Sequence, residues 1–144
     1  SIVLFEEDLM LAVSQQHHLS TRDYVNLIDL RNEEFVCFQA TSDYRQVTTN
    51  YCESVGFVPN TVIECHDWHT VCDFVRGNLG IAIVPQISWT VQYKGLKIIP
   101  IKTPHCSRKM ILTWFDDVRL TLSSKLVIDF CKRRFNNQST FLMQ

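Results

Sequence analysis

The chain has 144 residues, 46% hydrophobic and 20% charged, and carries a formal net charge of −1. Those proportions belong to a folded chain with one sizeable core and exclude disorder. No apolar run approaches the roughly 18 residues of a membrane-spanning helix, the acids Glu6, Glu7 and Asp8 argue against a secretory leader at the start, and the near-neutral charge argues against a nucleic-acid surface on these residues.

Ser1–Phe5 and Leu9–Val13 read as two short extended segments around an acidic turn. After His17-His18 comes a polar stretch, then Leu27-Ile28-Asp29-Leu30 as a short helix or turn, and Phe35–Gln39 as a strand. Ala40-Thr41-Ser42-Asp43 supplies capping residues for a helix on which Tyr44, Val47, Tyr51 and Val55 recur at helical spacing until Gly56. Asn60–Cys65 is the next strand, His66-Asp67 the next cap, and Trp68–Arg76 the next helix, with Val71, Cys72 and Val75 on its apolar face.

Gly77 is suited to the left-handed residue that closes that helix. The run Ile81-Ala82-Ile83-Val84 is apolar without alternation, as in a strand covered on both faces, and Pro85 is expected to end its ladder. Ile87–Val91 reads as a helical turn, Leu96–Ile101 as a strand, Thr103–Arg108 as a polar connection and Met110–Phe115 as another buried strand. Leu122, Leu126, Phe130 and Cys131 mark a final amphipathic helix capped by Thr121 or Ser123, with Lys132, Arg133 and Arg134 as its solvated end and a frayed tail over Asn136–Gln144. The six cysteines fall where small apolar residues belong, so free thiols rather than a disulfide framework are expected.

Val75-Arg76-Gly77-Asn78-Leu79-Gly80-Ile81-Ala82-Ile83-Val84-Pro85 resembles a signature of the effector-binding domain of LysR-type transcriptional regulators. Other landmarks stand in that family's order: Leu9–Val13 with His17-His18-Leu19-Ser20, Leu27–Leu30 with Phe35–Phe38, Gly56-Phe57-Val58-Pro59, and Leu112-Thr113-Trp114 with Leu122-Ser123. His18 departs from the family's usual proline, and the two histidines read as a surface pair rather than ligands.

The resemblance implies an α/β fold: a periplasmic-binding-protein-like lobe with a mostly parallel sheet flanked by helices, plus part of a second lobe. Residues 1–15 would be the end of the first lobe and a first crossover strand. Residues 16–105 would form the whole second lobe, and 106–144 a second crossover strand and a helix returning to the first lobe. On that reading the chain is a fragment, without most of the first lobe and without an N-terminal winged helix-turn-helix. The family also commonly places the Tyr44–Val55 helix at its lobe-to-lobe interface, one surface through which a two-fold dimer is expected. In its peroxide-sensing branch Cys52 would hold the resolving position, but Asp43 stands where the reactive cysteine would be, so no peroxide switch is expected.

Parallel α/β sheets take ligands outside the carboxyl ends of their strands, at helix N-termini. The rule selects Thr41 and Ser42 in one loop, His66, Trp68, His69 and Thr70 in a second, and Pro85 and Gln86 in a third. The first loop, with its hydroxyls and helix dipole, suits a carboxylate or a sugar-like polar group, although Ser42 and Asp67 are also ordinary helix caps. Cys65, His69 and Cys72 have metal-ligand chemistry, but Cys72 belongs to the apolar face, so no metal is expected. Cys65 near a helix N-terminus is a poor nucleophile candidate, and no catalytic residue is assigned.

The function these features imply is a small-molecule effector-sensing domain of a LysR-type DNA-binding regulator, with the ligand in the cleft between lobes. It would be cytoplasmic, not an enzyme, without cofactor or membrane, and a homodimer or higher oligomer. DNA would be contacted only through the winged helix-turn-helix. The alternative is a stand-alone solute-binding α/β lobe.

Overall fold

Strand β1, Ile2–Ser14, is the longest strand of the computed structural model, which describes residues 1–86, 93–115 and 119–136. The expected break at Glu6-Glu7-Asp8 is absent. The acids are tolerated in a continuous strand because Glu7 pairs with Arg108 at 2.5 Å and Asp8 with His105 at 2.8 Å. Two compact units follow from the chain's contacts: Asp8–Ser107, and Ser1–Glu7 with Arg108–Gln144. The lobe expected at 16–105 lies inside the first.

In the first unit, β2 (Glu34–Phe38) pairs in parallel with β3 (Asn60–Cys65). Strand β4 (Ala82–Pro85) joins β2 through a parallel bridge from Ile81 to Phe35. On its other side β4 pairs antiparallel with β1, and β1 pairs antiparallel with β5 (Leu96–Pro100). Thus β3, β2, β4 and β5 run one way and β1 alone runs the other. Helix α1 (Asp43–Ser54) connects β2 to β3, and α2 (Trp68–Arg76) connects β3 to β4.

Burial explains the unalternating run before Pro85. Ile81 and Ile83 belong to a core with Leu9, Leu11, Phe35 and Cys52, on which Tyr44, Val47 and Tyr51 of α1 pack. Ala82 and Val84 belong to a second core with Ala12, Val36, Val71 and Val75 of α2. The strand is covered on both faces, so side chains of either parity must be apolar. Each fully buried Val of α2 contributes about 1.5–3 kcal/mol relative to an exposed one.

Two local expectations are corrected. Gly77 has φ −71°. The left-handed residue is Asn78, at φ 60°, with Asn78 N–H donating to Val75 O (2.9 Å) and Leu79 N–H to Phe74 O (3.1 Å). This double closure is the Schellman motif, and Asn is the commonest residue after Gly to take its left-handed position. Pro85 does not end the ladder: it lies opposite Leu9, and Gln86 N–H donates to Asp8 O at 2.9 Å. Gly80 is required by close approach, since a Cβ there would stand 2.9 Å from Glu34 O.

In the second unit, β6 is Ser107–Leu112, not Met110–Phe115, and pairs with β1. It is largely exposed rather than buried, with Ile111 55% accessible. Helix α3, Leu122–Asn136, is capped by Thr121, whose Oγ1 accepts Ser124 N–H at 3.1 Å. Phe135 stacks on Phe5, while Leu122, Leu126 and Phe130 are exposed. The helical turn expected at Ile87–Val91 and the tail beyond residue 136 lie outside the described residues.

Candidate functional site at the strand ends

Parallel pairing of Phe38 with Cys65 brings the ends of β2 and β3 level, and Gln39 N–H donates to Cys65 O at 3.0 Å. Counting three residues along both strands from Phe35 opposite Ile81 puts Phe38 level with Val84. The loops that hold Thr41-Ser42, His66–Thr70 and Pro85-Gln86 therefore leave one edge of one sheet, and the N-termini of α1 and α2 open at that edge. Unsatisfied N–H groups and the positive ends of the helix dipoles make such an edge favourable for an anion.

The two helix starts are not equivalent. Asp67 caps α2: its Oδ1 accepts Thr70 N–H (2.9 Å) and its Oδ2 accepts the Thr70 hydroxyl (2.7 Å). Those bonds, backbone first, hold the Asp67 carboxyl below its ordinary range. Thr70 is thus engaged in the cap. Ser42, by contrast, sits at the N-cap position of α1 without a side-chain bond to the helix, so its expected capping role is not realised. Thr41 and His66 are exposed, Ser42 and Trp68 half-buried, Pro85 buried and Gln86 exposed. His69 is exposed, and Tyr93 Oη lies 3.5 Å from its carbonyl oxygen.

Behind the loops sits an aromatic trio that spacing did not reveal, because its members come from a strand end and two helix starts. Trp68 lies 4.3 Å from Phe38 and 4.8 Å from Tyr44 by ring centroids, and Tyr44 Oη donates to Ile83 O at 2.8 Å. Arg45 donates to Phe38 O at 2.7 Å and to Thr61 Oγ1 at 2.9 Å, tying the end of β2 to the first turn of α1 and to the start of β3. The cavity among Phe38, Tyr44, Trp68 and Val71 is only about 10 Å³, room for one water at most. That cavity has no space for an organic ligand.

Burial disfavours the thiolate at the core cysteines. Burial raises Cys65, and pushes Cys52 up to about 12 and Cys72 and Cys106 up to about 11. Cys65, His69 and Cys72 do not converge as a metal-binding group among the described residues, where His17, His18 and Glu33 do.

The family model for the LysR substrate binding domain matches residues 1–136. The chain belongs to that family. It is 26% identical over 133 residues to an uncharacterized HTH-type transcriptional regulator, YwbI, of Bacillus subtilis (strain 168), covering 92% of this chain and 44% of the relative. The chain thus spans less than half the length of that regulator. Among solved structures it resembles the effector binding domain of QuiR in complex with shikimate, with TM-score 0.88, 23% identity, and 94% and 65% of the two chains covered. It also resembles the Synechocystis PCC6803 CcmR regulatory domain in complex with 2-PG, with TM-score 0.82, 16% identity, and 94% and 66% covered. These likenesses establish the periplasmic-binding-protein-like α/β fold of LysR effector-binding domains.

Proposed function

We propose that this chain senses a small carboxylate for a LysR-type transcriptional regulator and that Thr41, Ser42, His66, Trp68, His69, Pro85 and Gln86 contact it. The observation that carries the reading is the level emergence of two helix N-termini from β2 and β3, one of them with an uncommitted N-cap hydroxyl. A carboxylate there accepts N–H bonds from the start of α1 and the hydroxyls of Thr41 and Ser42, while Trp68 offers a flat apolar edge to the ligand's carbon frame. Thr70, whose hydroxyl is held by Asp67, supports the loop rather than the ligand. Effector binding shifts the population of conformers that a DNA-binding module reads. On this reading the protein acts in the cytoplasm, as a sensor and not as an enzyme. The homodimer of this reading uses α1, where an open groove of about 390 Å³ lies between Val47, Asn50, Tyr51 and Ser54 of the helix and Pro104.

The test is calorimetric titration with shikimate and a panel of other small cyclic and aliphatic carboxylates, on the wild type and on Thr41→Val/Ser42→Ala. Saturable binding of one carboxylate, weakened about tenfold or more in the double variant, supports the site. Equal affinity in both proteins removes Thr41 and Ser42 from it.

A further inference from the structure

His17 and His18 lie in the turn that leaves β1, and Glu33 directly precedes β2. Because β1 runs against β2 and β4, this turn sits at the edge of the sheet opposite the strand-end loops. The two imidazoles stack with centroids 4.5 Å apart, and one carboxylate spans both: Glu33 Oε1 is 2.5 Å from His18 Nε2 and Oε2 is 3.3 Å from His17 Nε2. One donor atom from each residue lies within 4.8 Å of the others.

We propose that His17, His18 and Glu33 form a three-ligand site for a borderline divalent transition metal ion such as Zn²⁺. Two imidazoles and a carboxylate are an established donor set for that class of ion, with a fourth position left for water or a further ligand. Bonds of about 2.0–2.2 Å at tetrahedral angles separate donors by about 3.3–3.6 Å, so the 3.3 Å His17–Glu33 distance already fits and the 2.5 Å His18–Glu33 distance has to open by about 1 Å.

The frame is built before any ion arrives. His17 N–H donates to Ser14 O (3.0 Å), Ser20 N–H to His17 O (2.9 Å) and Glu33 N–H to Leu30 O (3.1 Å), while Leu19 and Leu30 anchor the two turns in the core. The His17 and Glu33 side chains are only 11% and 16% exposed, whereas His18 at 68% leaves an approach from solvent. His17 Nδ1 accepts Leu19 N–H at 3.2 Å, so its ring is neutral with the proton on Nε2. An ion at Nε2 displaces that proton to Nδ1 through solvent and releases the long Leu19 bond. The turn keeps its other two backbone bonds. A bound ion would fasten the end of β1 to the start of β2, which sequence separation alone would not suggest.

Cobalt(II) titration of the chelator-treated 144-residue chain tests the site. Expected is one ion per chain with the visible spectrum of a tetrahedral nitrogen–oxygen site and no thiolate-to-cobalt charge-transfer band, together with a shifted Leu19 amide resonance. His18→Gln removes an exposed ligand without disturbing the core. It and Glu33→Gln should each weaken cobalt binding by at least about tenfold, no less than the loss of an outer-shell partner does. Circular dichroism would check that both variants remain folded. A thiolate band, a spectrum that persists in His18→Gln, or no saturable cobalt spectrum in the wild type would each overturn the proposal.

Discussion

The hydroxyl of Tyr44 donates to the carbonyl oxygen of Ile83 at 2.8 Å, joining the first turn of α1 to the buried strand that ends at Pro85. Residues 39 positions apart are fixed together beside the strand-end loops. Tyr44→Phe keeps the ring against Trp68 and Phe38 and removes the hydroxyl that makes this bond. It should lower stability by about 0.5–1.5 kcal/mol, the net worth of a single hydrogen bond. Urea unfolding measures this, and an unchanged midpoint would show that water replaces the hydroxyl without loss.

Closure of α2 separates two glycines from one asparagine. Asn78 holds φ 60°, and Asn78→Ala should cost part of the left-handed penalty of about 1–2 kcal/mol, because both residues carry a Cβ and only the local hydrogen bonding of the asparagine side chain is lost. Gly77→Ala should be nearly neutral, because its φ is negative and the added Cβ lies 3.4 Å from its nearest neighbour. Gly80→Ala should be the worst of the three, since its Cβ would meet the backbone Glu34 O at 2.9 Å. Thermal unfolding of the three variants gives the order directly. A Gly77→Ala loss as large as that of Asn78→Ala would contradict it.

Where pattern and fold agree, the cause is local. Strand β3 and helix α2 occupy the residues that their apolar spacing and the Asp67 cap predict, because cap, face and closure all lie within a dozen neighbours. The strand-end loops were legible by the same token, since a strand followed directly by a helix start needs no long-range knowledge. Strand β6 was misplaced because its first residues, Ser107, Arg108 and Lys109, are polar and owe their extended form to pairing with β1, over a hundred positions earlier in the case of Arg108 and Glu7. The aromatic trio and the His17-His18-Glu33 group were invisible for the same reason: the fold, not the spacing, assembles them.

The cysteines should be quiet under native conditions. The thiolate is the reactive species, and burial pushes Cys52 up to about 12 and Cys72 and Cys106 up to about 11. Iodoacetamide at neutral pH should therefore modify these three far more slowly than in urea-unfolded chain, by a factor of at least about 100, and Cys65, also raised by burial, should react more slowly than when unfolded. Low peroxide should not produce a rapid Cys52 disulfide. Peptide mapping by mass spectrometry reads both, and a fast native reaction at Cys52 would reinstate a redox role.

Acid sensitivity should be traceable to the α2 cap. The Thr70 N–H and hydroxyl both donate to the Asp67 carboxylate and favour its charged form, so its folded pKa lies below the unfolded value near 3.8. A depressed carboxyl contributes stability that is fully present above the unfolded value and is lost as pH falls through the folded one. Asp67→Asn retains an oxygen that can accept Thr70 N–H but has no charge to titrate. The wild type should therefore exceed Asp67→Asn in stability by a constant amount at neutral pH, and the gap should close only below about pH 4. Urea midpoints of the two proteins across the acid range test this. A gap that stays constant down to the lowest pH at which both fold would mean that the charge of Asp67 contributes nothing and that the cap works through geometry alone.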